Sequence, residues 1–110
     1  MTPTKTEEDL LFEIHKDCFY INTKFLKIFG PITALFLTNL LEKHNQCDTI
    51  NGVFCLTHKE QMRELSLSEH QIRRCKRTLK EKGIISTKMK GIPAKEYYTI
   101  NQAALINFVA

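Results

Sequence analysis

The stretch from Ser68 to Lys82 holds the residue types most able to do chemistry: His70, Arg73, Arg74, Arg77 and Lys80 within eleven positions. Projected as a helix at about 100° per residue, Ile72, Cys75 and Leu79 share one narrow apolar face. His70, Arg73, Arg74 and Arg77 then fall on the opposite face, with Lys80 one turn further on. Guanidinium groups so placed can neutralise phosphates, and each can donate in pairs to a planar acceptor such as the O6/N7 edge of guanine. A basic helix face taken alone is ordinarily no more than a solvated face. What surrounds this one makes it specific.

Two helix starts precede it. Thr57-His58-Lys59-Glu60 and Ser68-Glu69-His70-Gln71 both have the form of a capping box, in which a hydroxyl accepts from the N3 amide and the N3 side chain reaches back to the cap. Two starts eleven positions apart leave room for one short helix, His58–Leu65, and a tight turn at Ser66-Leu67. The second helix runs from Glu69 to Lys82 and stops at Gly83, the usual left-handed residue after a helix. That is a helix-turn-helix layout. A hairpin follows directly, with strands Ile84–Met89 and Lys95–Ile100 joined by Lys90-Gly91-Ile92-Pro93-Ala94. It carries Lys88, Lys90 and Lys95, placed as a wing to touch the backbone of a flanking groove.

Charge distribution agrees. Residues 69–100 hold nine Lys/Arg and three Glu, a net of +6, whereas residues 1–68 hold seven Lys/Arg and nine Asp/Glu, a net of −2. A basic third on an otherwise mildly acidic chain points to an anionic partner for that third. Base-reading residues usually lie in the first two turns of a reading helix, where His70, Gln71, Arg73, Arg74 and Arg77 stand. Ser68 and the free N–H groups of the helix start suit a phosphate. Lys80 extends the cationic face, and Glu81 at the far end favours docking through the N-terminal half.

The remaining elements must support this reader. Glu7–Ile14 reads as a short helix bearing Leu10, Leu11 and Ile14, after a frayed start over residues 2–6. Phe19-Tyr20-Ile21 is aromatic and β-branched, hence a short strand, and Thr23 caps a helical stretch Lys24–Phe29. Gly30-Pro31 opens a helix to Lys43 whose wide apolar band (Ile32, Leu35, Phe36, Leu37, Leu40, Leu41) makes it the centre of the core. The segment from Asn45 to Gly52 is polar and turn-like, Val53–Leu56 is a short strand, and Asn101 caps an apolar helix Gln102–Val109. The expected fold is α+β: mainly helical, a three-helix core with a two- to three-stranded wing. Residues 1–18 form an N-terminal extension and 19–110 the winged helix-turn-helix domain.

At 110 residues, 43% of them apolar, the chain suits one domain with a core of its own. No apolar run approaches the length of a membrane span. The start Met-Thr-Pro-Thr-Lys-Thr-Glu-Glu-Asp lacks the basic region of a secretory signal, so a cytoplasmic, nucleoid-associated location is expected. The four cysteines Cys18, Cys47, Cys55 and Cys75 contain no C-x-x-C pair and fit no zinc template. They read as reduced structural thiols, and His15-x-x-Cys18 is the best metal fragment but has no partner pair. No phosphate-binding glycine loop, zincin motif or nucleophile elbow is present, so no enzyme, cofactor or metal is expected. No effector pocket is evident either.

The residues Ser68–Ile85 resemble the segment shared by bacterial winged-helix proteins, among them MarR-type regulators and the DNA-binding domains of plasmid and phage replication proteins. Ile72, Cys75, Leu79, Gly83, Ile84 and Ile85 fill that pattern's core and turn positions. The wing from Lys90 to Asn101 is similar to the end of winged-helix domains common in phage and mobile-element proteins. The resemblance covers about residues 19–108 and implies a double-stranded DNA binder, either a transcriptional regulator or a replication-associated protein, with Arg73, Arg74 and Arg77 at DNA-contacting positions. Three departures stand out. Lys76 occupies a usually apolar position, Ser66 replaces a frequent turn glycine, and Gln61-Met62 replaces a more apolar pair. Two further readings concern the apolar ends (Leu10, Leu11 and Ile14; Leu105, Ile106, Phe108 and Val109). They could pair two copies into a homodimer, or make the domain a protein-interaction module without DNA binding.

Overall fold

The computed structural model of the protein describes residues 6–16, 20–46 and 52–109. In chain order the elements are α1 (Glu7–Lys16), α2 (Thr23–Phe29), α3 (Pro31–Gln46), β1 (Phe54–Cys55), α4 (His58–Leu65), α5 (Glu69–Glu81), β2 (Ile85–Lys90), β3 (Lys95–Ile100) and α6 (Gln102–Val109). The strands form one antiparallel sheet in the order β1-β3-β2. Helices α3, α4 and α5 pack together against it, giving an α+β, winged-helix-like architecture in which β2 and β3 are the wing.

Helix α3 is the core's axis, with Ala34, Phe36, Leu37 and Leu40 fully buried. Ile72, Cys75 and Leu79 of α5 meet it, as their spacing requires, and Phe54, Tyr98, Ile84 and Ile85 close the core from the sheet. Phe54 and Tyr98, opposite each other in the β1–β3 register, stack with ring centroids 5.8 Å apart. Each buried Leu, Ile or Phe among them contributes roughly 1.5–3 kcal/mol through removal of apolar surface from water, and together they fix α5 by its apolar stripe.

The turns follow from local chemistry. Thr57 Oγ1 accepts from the Glu60 amide at 3.1 Å, the hydroxyl half of the first box. The second box is complete: Ser68 Oγ accepts from the Gln71 amide at 3.2 Å, and the Ser68 amide donates to Gln71 Oε1 at 2.9 Å. Between them Ser66 lies at φ 54°, ψ 37°, the left-handed geometry that a glycine more often supplies. The turn therefore keeps the usual geometry without the usual residue. Helix α5 ends in a Schellman arrangement. The Ile84 amide donates to Leu79 O and the Gly83 amide to Lys80 O, both at 3.0 Å, with Gly83 at φ 71°.

Several expectations need correction. Tyr20 and Ile21 form no strand, and Phe19 lies outside the described residues. Strand propensity reflects fit to a pleated, half-buried surface, and the sheet here is made by β1, β3 and β2; Tyr20 is exposed and Ile21 packs against the core from a loop. Asn22, not Thr23, caps α2, its Oδ1 accepting from the Lys24 amide at 2.8 Å. Helix α3 continues past Lys43 to Gln46, and Ile32 at its start is exposed rather than part of the core band. The wing's first strand begins at Ile85 and reaches Lys90, because Ile84 N–H is used in the helix stop. Asn101 caps α6 as expected, Oδ1 accepting from the Ala104 amide at 3.1 Å. Cys18 and Cys47, and with them the His15-x-x-Cys18 fragment, lie outside what is described.

Candidate nucleic-acid interface

Helix α5 is held on one side only. With Ile72, Cys75 and Leu79 buried, the 100° period leaves His70, Arg73, Arg74, Arg77 and Lys80 all exposed to solvent. Ser68 is exposed at the helix start, and Gln71 is half-buried; both side chains are engaged in the cap. Arg73 Nη2 donates to Glu69 Oε1 at 2.7 Å one turn back. A solvent-exposed pair of this kind is worth little, so the guanidinium is pre-extended along the helix without being locked away from a stronger acceptor. Arg74 and His70 rim a cleft of about 360 Å³ whose other wall is Phe29 and the start of α3, from Gly30 to Thr33.

The hairpin register sorts the wing residues by face. Lys88 stands opposite Tyr97 and Lys90 opposite Lys95. Because side chains alternate, Lys88, Lys90, Lys95 and Tyr97 share one face of the hairpin, while Met89, Glu96 and Tyr98 share the other. All three lysines are exposed, and Lys90 Nζ lies 5.8 Å from the Tyr97 ring centroid. The structure thus brings the α5 cations together on one helix face and the wing lysines together on the outer face of the hairpin. They are two separate positive surfaces, joined through the hairpin's other face.

Against that other face, with Glu96 and Tyr98, lies a polar cluster that the sequence reading did not assemble, although it noted Lys76 as a cation at an apolar position. Lys76 Nζ donates to Glu96 Oε1 at 2.7 Å and meets His58 Nε2 at 2.7 Å. Glu96 Oε1 also accepts from the Tyr98 hydroxyl at 3.0 Å. An ammonium has no acceptor to offer, so the neutral imidazole accepts at Nε2 and carries its proton on Nδ1, which lies 3.9 Å from Glu69 Oε1. Burial, then the charge of Lys76, holds His58 below its ordinary pKa. For Glu96 burial pushes upward, but the hydrogen bond and charge of Lys76 and the bond from Tyr98 outweigh it and keep the carboxyl below its ordinary range. Burial beside that carboxylate drives the Tyr98 hydroxyl well up. The available signal was Lys76 itself, a cation at an apolar position, together with the alternation Glu96-Tyr97-Tyr98 that puts Glu96 on the face of buried Tyr98.

Cys75 is buried, and burial raises its thiol pKa, while Cys55 is exposed; both are free. Among the described residues no three His, Cys, Asp or Glu side chains gather as metal ligands, and no helix is long and apolar enough to cross a membrane.

No family model matches the sequence, and no curated protein matches it. Among solved structures, one described as the N-terminal domain of a DNA binding protein aligns with 97% of this chain and 92% of its own, at 13% identity and a TM-score of 0.53. At that identity the likeness is one of fold.

Proposed function

We propose that the protein binds double-stranded DNA, with α5 in the major groove and the β2–β3 hairpin against the neighbouring backbone. The observation that carries this reading is the one-sided burial of α5. Its three apolar residues are spent on the core, and His70, Arg73, Arg74, Arg77 and Lys80 are all presented to solvent on a capped, well-anchored helix. A major groove admits a helix, and arginines in its first two turns reach guanine edges. Ser68, Gln71 and the helix start add a phosphate contact, and Lys88, Lys90 and Lys95 add charge from the wing. The likeness in fold to a domain of a DNA binding protein is in keeping with this. The finer role is a phage or mobile-element regulator, or a replication-associated binder acting in the cytoplasm at the nucleoid. The direct test is Arg73→Ala with Arg77→Ala. The folded double variant loses duplex binding; unchanged affinity would remove α5 as the reader.

A specific observation favours pairing of two copies. Leu10, Leu11 and Phe12 of α1 and Ile106 and Phe108 of α6 are exposed, so these ends do not spend all their apolar surface on their own core. A dimer through the terminal helices would present two readers to two half-sites. Light scattering at rising concentration gives twice the 12.8 kDa chain mass on this reading, and a strict monomer refutes it. Should DNA binding fail as well, the same exposed ends would make the domain a protein-interaction module.

A further inference from the structure

The β2–β3 hairpin outruns its support. Strand β1 pairs with β3 only at Tyr97 and Tyr98, so the rungs Met89–Glu96 and Lys90–Lys95 project beyond the third strand. Two of the three wing lysines sit on the outermost of those rungs. At the first of those rungs, Glu96 is bound twice. Its carbonyl accepts from the Leu56 amide at 3.3 Å, and its carboxylate accepts from Lys76 of α5 at 2.7 Å. Both side chains of that ion pair are mostly buried, 13% and 16% exposed. His58, the first residue of α4, closes the group at 2.7 Å from Lys76 Nζ. One ammonium therefore joins the reader helix, the start of the preceding helix and the projecting part of the wing. It borders a cleft of about 260 Å³ that separates the hairpin (Met89, Ala94, Lys95) from α4.

We propose that Lys76 is a positioning residue for DNA binding: through Glu96 it sets the wing's angle against α5, so that the hairpin lysines reach phosphates only while that ion pair is made. The proposal rests on the DNA reading above. It gives Lys76 no contact with DNA, because its charge is already committed to Glu96 and its side chain is turned into the wing.

The test uses the double variant Lys76→Met with Glu96→Gln. It removes one positive and one negative charge, so net charge stays at +4 and any change in salt dependence reports geometry. Replacing a buried ion pair by neutral groups of similar volume usually leaves stability near the original, which a thermal melt checks. Duplex affinity is measured across a salt series for four proteins: the native protein, this pair variant, the wing variant K88Q/K90Q/K95Q, and all five changes combined. Each phosphate contact adds about 0.9 to the slope of log K against log[salt], so losing the wing should lower the slope by about 1–3 in the pair variant as in the wing variant. The combined variant should bind no more weakly than the wing variant alone. Additive losses would overturn the proposal, since they would place Lys76 on DNA or on the reader directly. An unchanged slope in the pair variant would overturn it too. Glu96→Gln alone is an independent check. It raises net charge, so electrostatics alone predicts tighter binding, whereas loss of positioning predicts weaker binding and tighter binding refutes it. Absence of duplex binding by the native protein would instead remove the DNA reading on which the proposal stands.

Discussion

Replacing Gln61 by methionine should stabilise the protein. Gln61 is completely buried on α4 beneath the wing, and neither its Oε1 nor its Nε2 has a hydrogen-bond partner of regular geometry among the described residues. Its amide lies beside the Tyr98 hydroxyl, whose proton is committed to Glu96 Oε1 at 3.0 Å; the hydroxyl therefore has no proton for Gln61 Oε1 and can only accept from Nε2. Leaving a buried polar group unsatisfied costs about 1–3 kcal/mol. Methionine is unbranched, of similar length and adaptable in irregular gaps, so it can occupy the same space without those polar atoms. Imperfect filling offsets part of the gain, which leaves a net stabilisation of about 1–2 kcal/mol. For a domain of this size about 1 kcal/mol moves Tm by roughly 4–8 °C. Urea and thermal unfolding of Q61M measure it, with duplex affinity as a control that should not move, since Gln61 has no exposed surface. A variant less stable than the native protein by about 1 kcal/mol would refute the reasoning. It would mean that the amide is properly bonded, to Tyr98 or through a buried water, and that the inner face of the wing is a continuous polar network from Gln61 to Lys76.

Ser66→Gly should be neutral to stabilising by up to about 1 kcal/mol, because the left-handed turn strains a side chain that glycine lacks, against a larger entropy loss on folding; chemical denaturation decides, and clear destabilisation would mean the turn is relaxed with serine. Ser68→Ala should lower stability by about 1 kcal/mol through loss of half the α5 capping box, read from the same unfolding curves. Stability should fall on acidification. His58 is held below 6.5 when folded, so the unfolded chain binds the proton more readily; its destabilising share is absent above pH 6.5, grows as pH falls through that value, and is complete below the folded pKa. Glu96 acts in the same sense lower down, its contribution being present above 4.5 and lost as pH falls through its depressed folded value. His58→Gln should flatten the upper part of the pH–stability profile, and an unchanged profile near pH 6 would show that His58 is not held neutral.

The local features of this fold were open to reading because they are set by neighbours in sequence. The capping box at Ser68, the stop at Gly83 and the period of Ile72, Cys75 and Leu79 each involve residues within a few positions, and they fix α5 and its exposed arginines almost to the residue. The same holds for the hairpin, whose second strand and alternation are visible in Lys95–Ile100. What escaped depended on distant partners. Tyr20-Ile21 has the composition of a strand, but no free sheet edge receives it. Lys76 was visible as an odd cation, yet its meaning lies in Glu96 and His58, twenty and eighteen positions away. Gln61 was visible as a polar residue where the pattern is more apolar, but its complete burial beside Tyr98, 37 positions away, was not.

The central claim is that the exposed cations of α5 and the wing bind duplex DNA. The most direct measurement is fluorescence anisotropy of a labelled mixed-sequence duplex titrated with the protein at several salt concentrations. The account predicts binding whose log K falls steeply and linearly with log[salt], by about 0.9 for each phosphate neutralised. No binding even at low salt would contradict it, and would leave the arginine face of α5 as solvated surface.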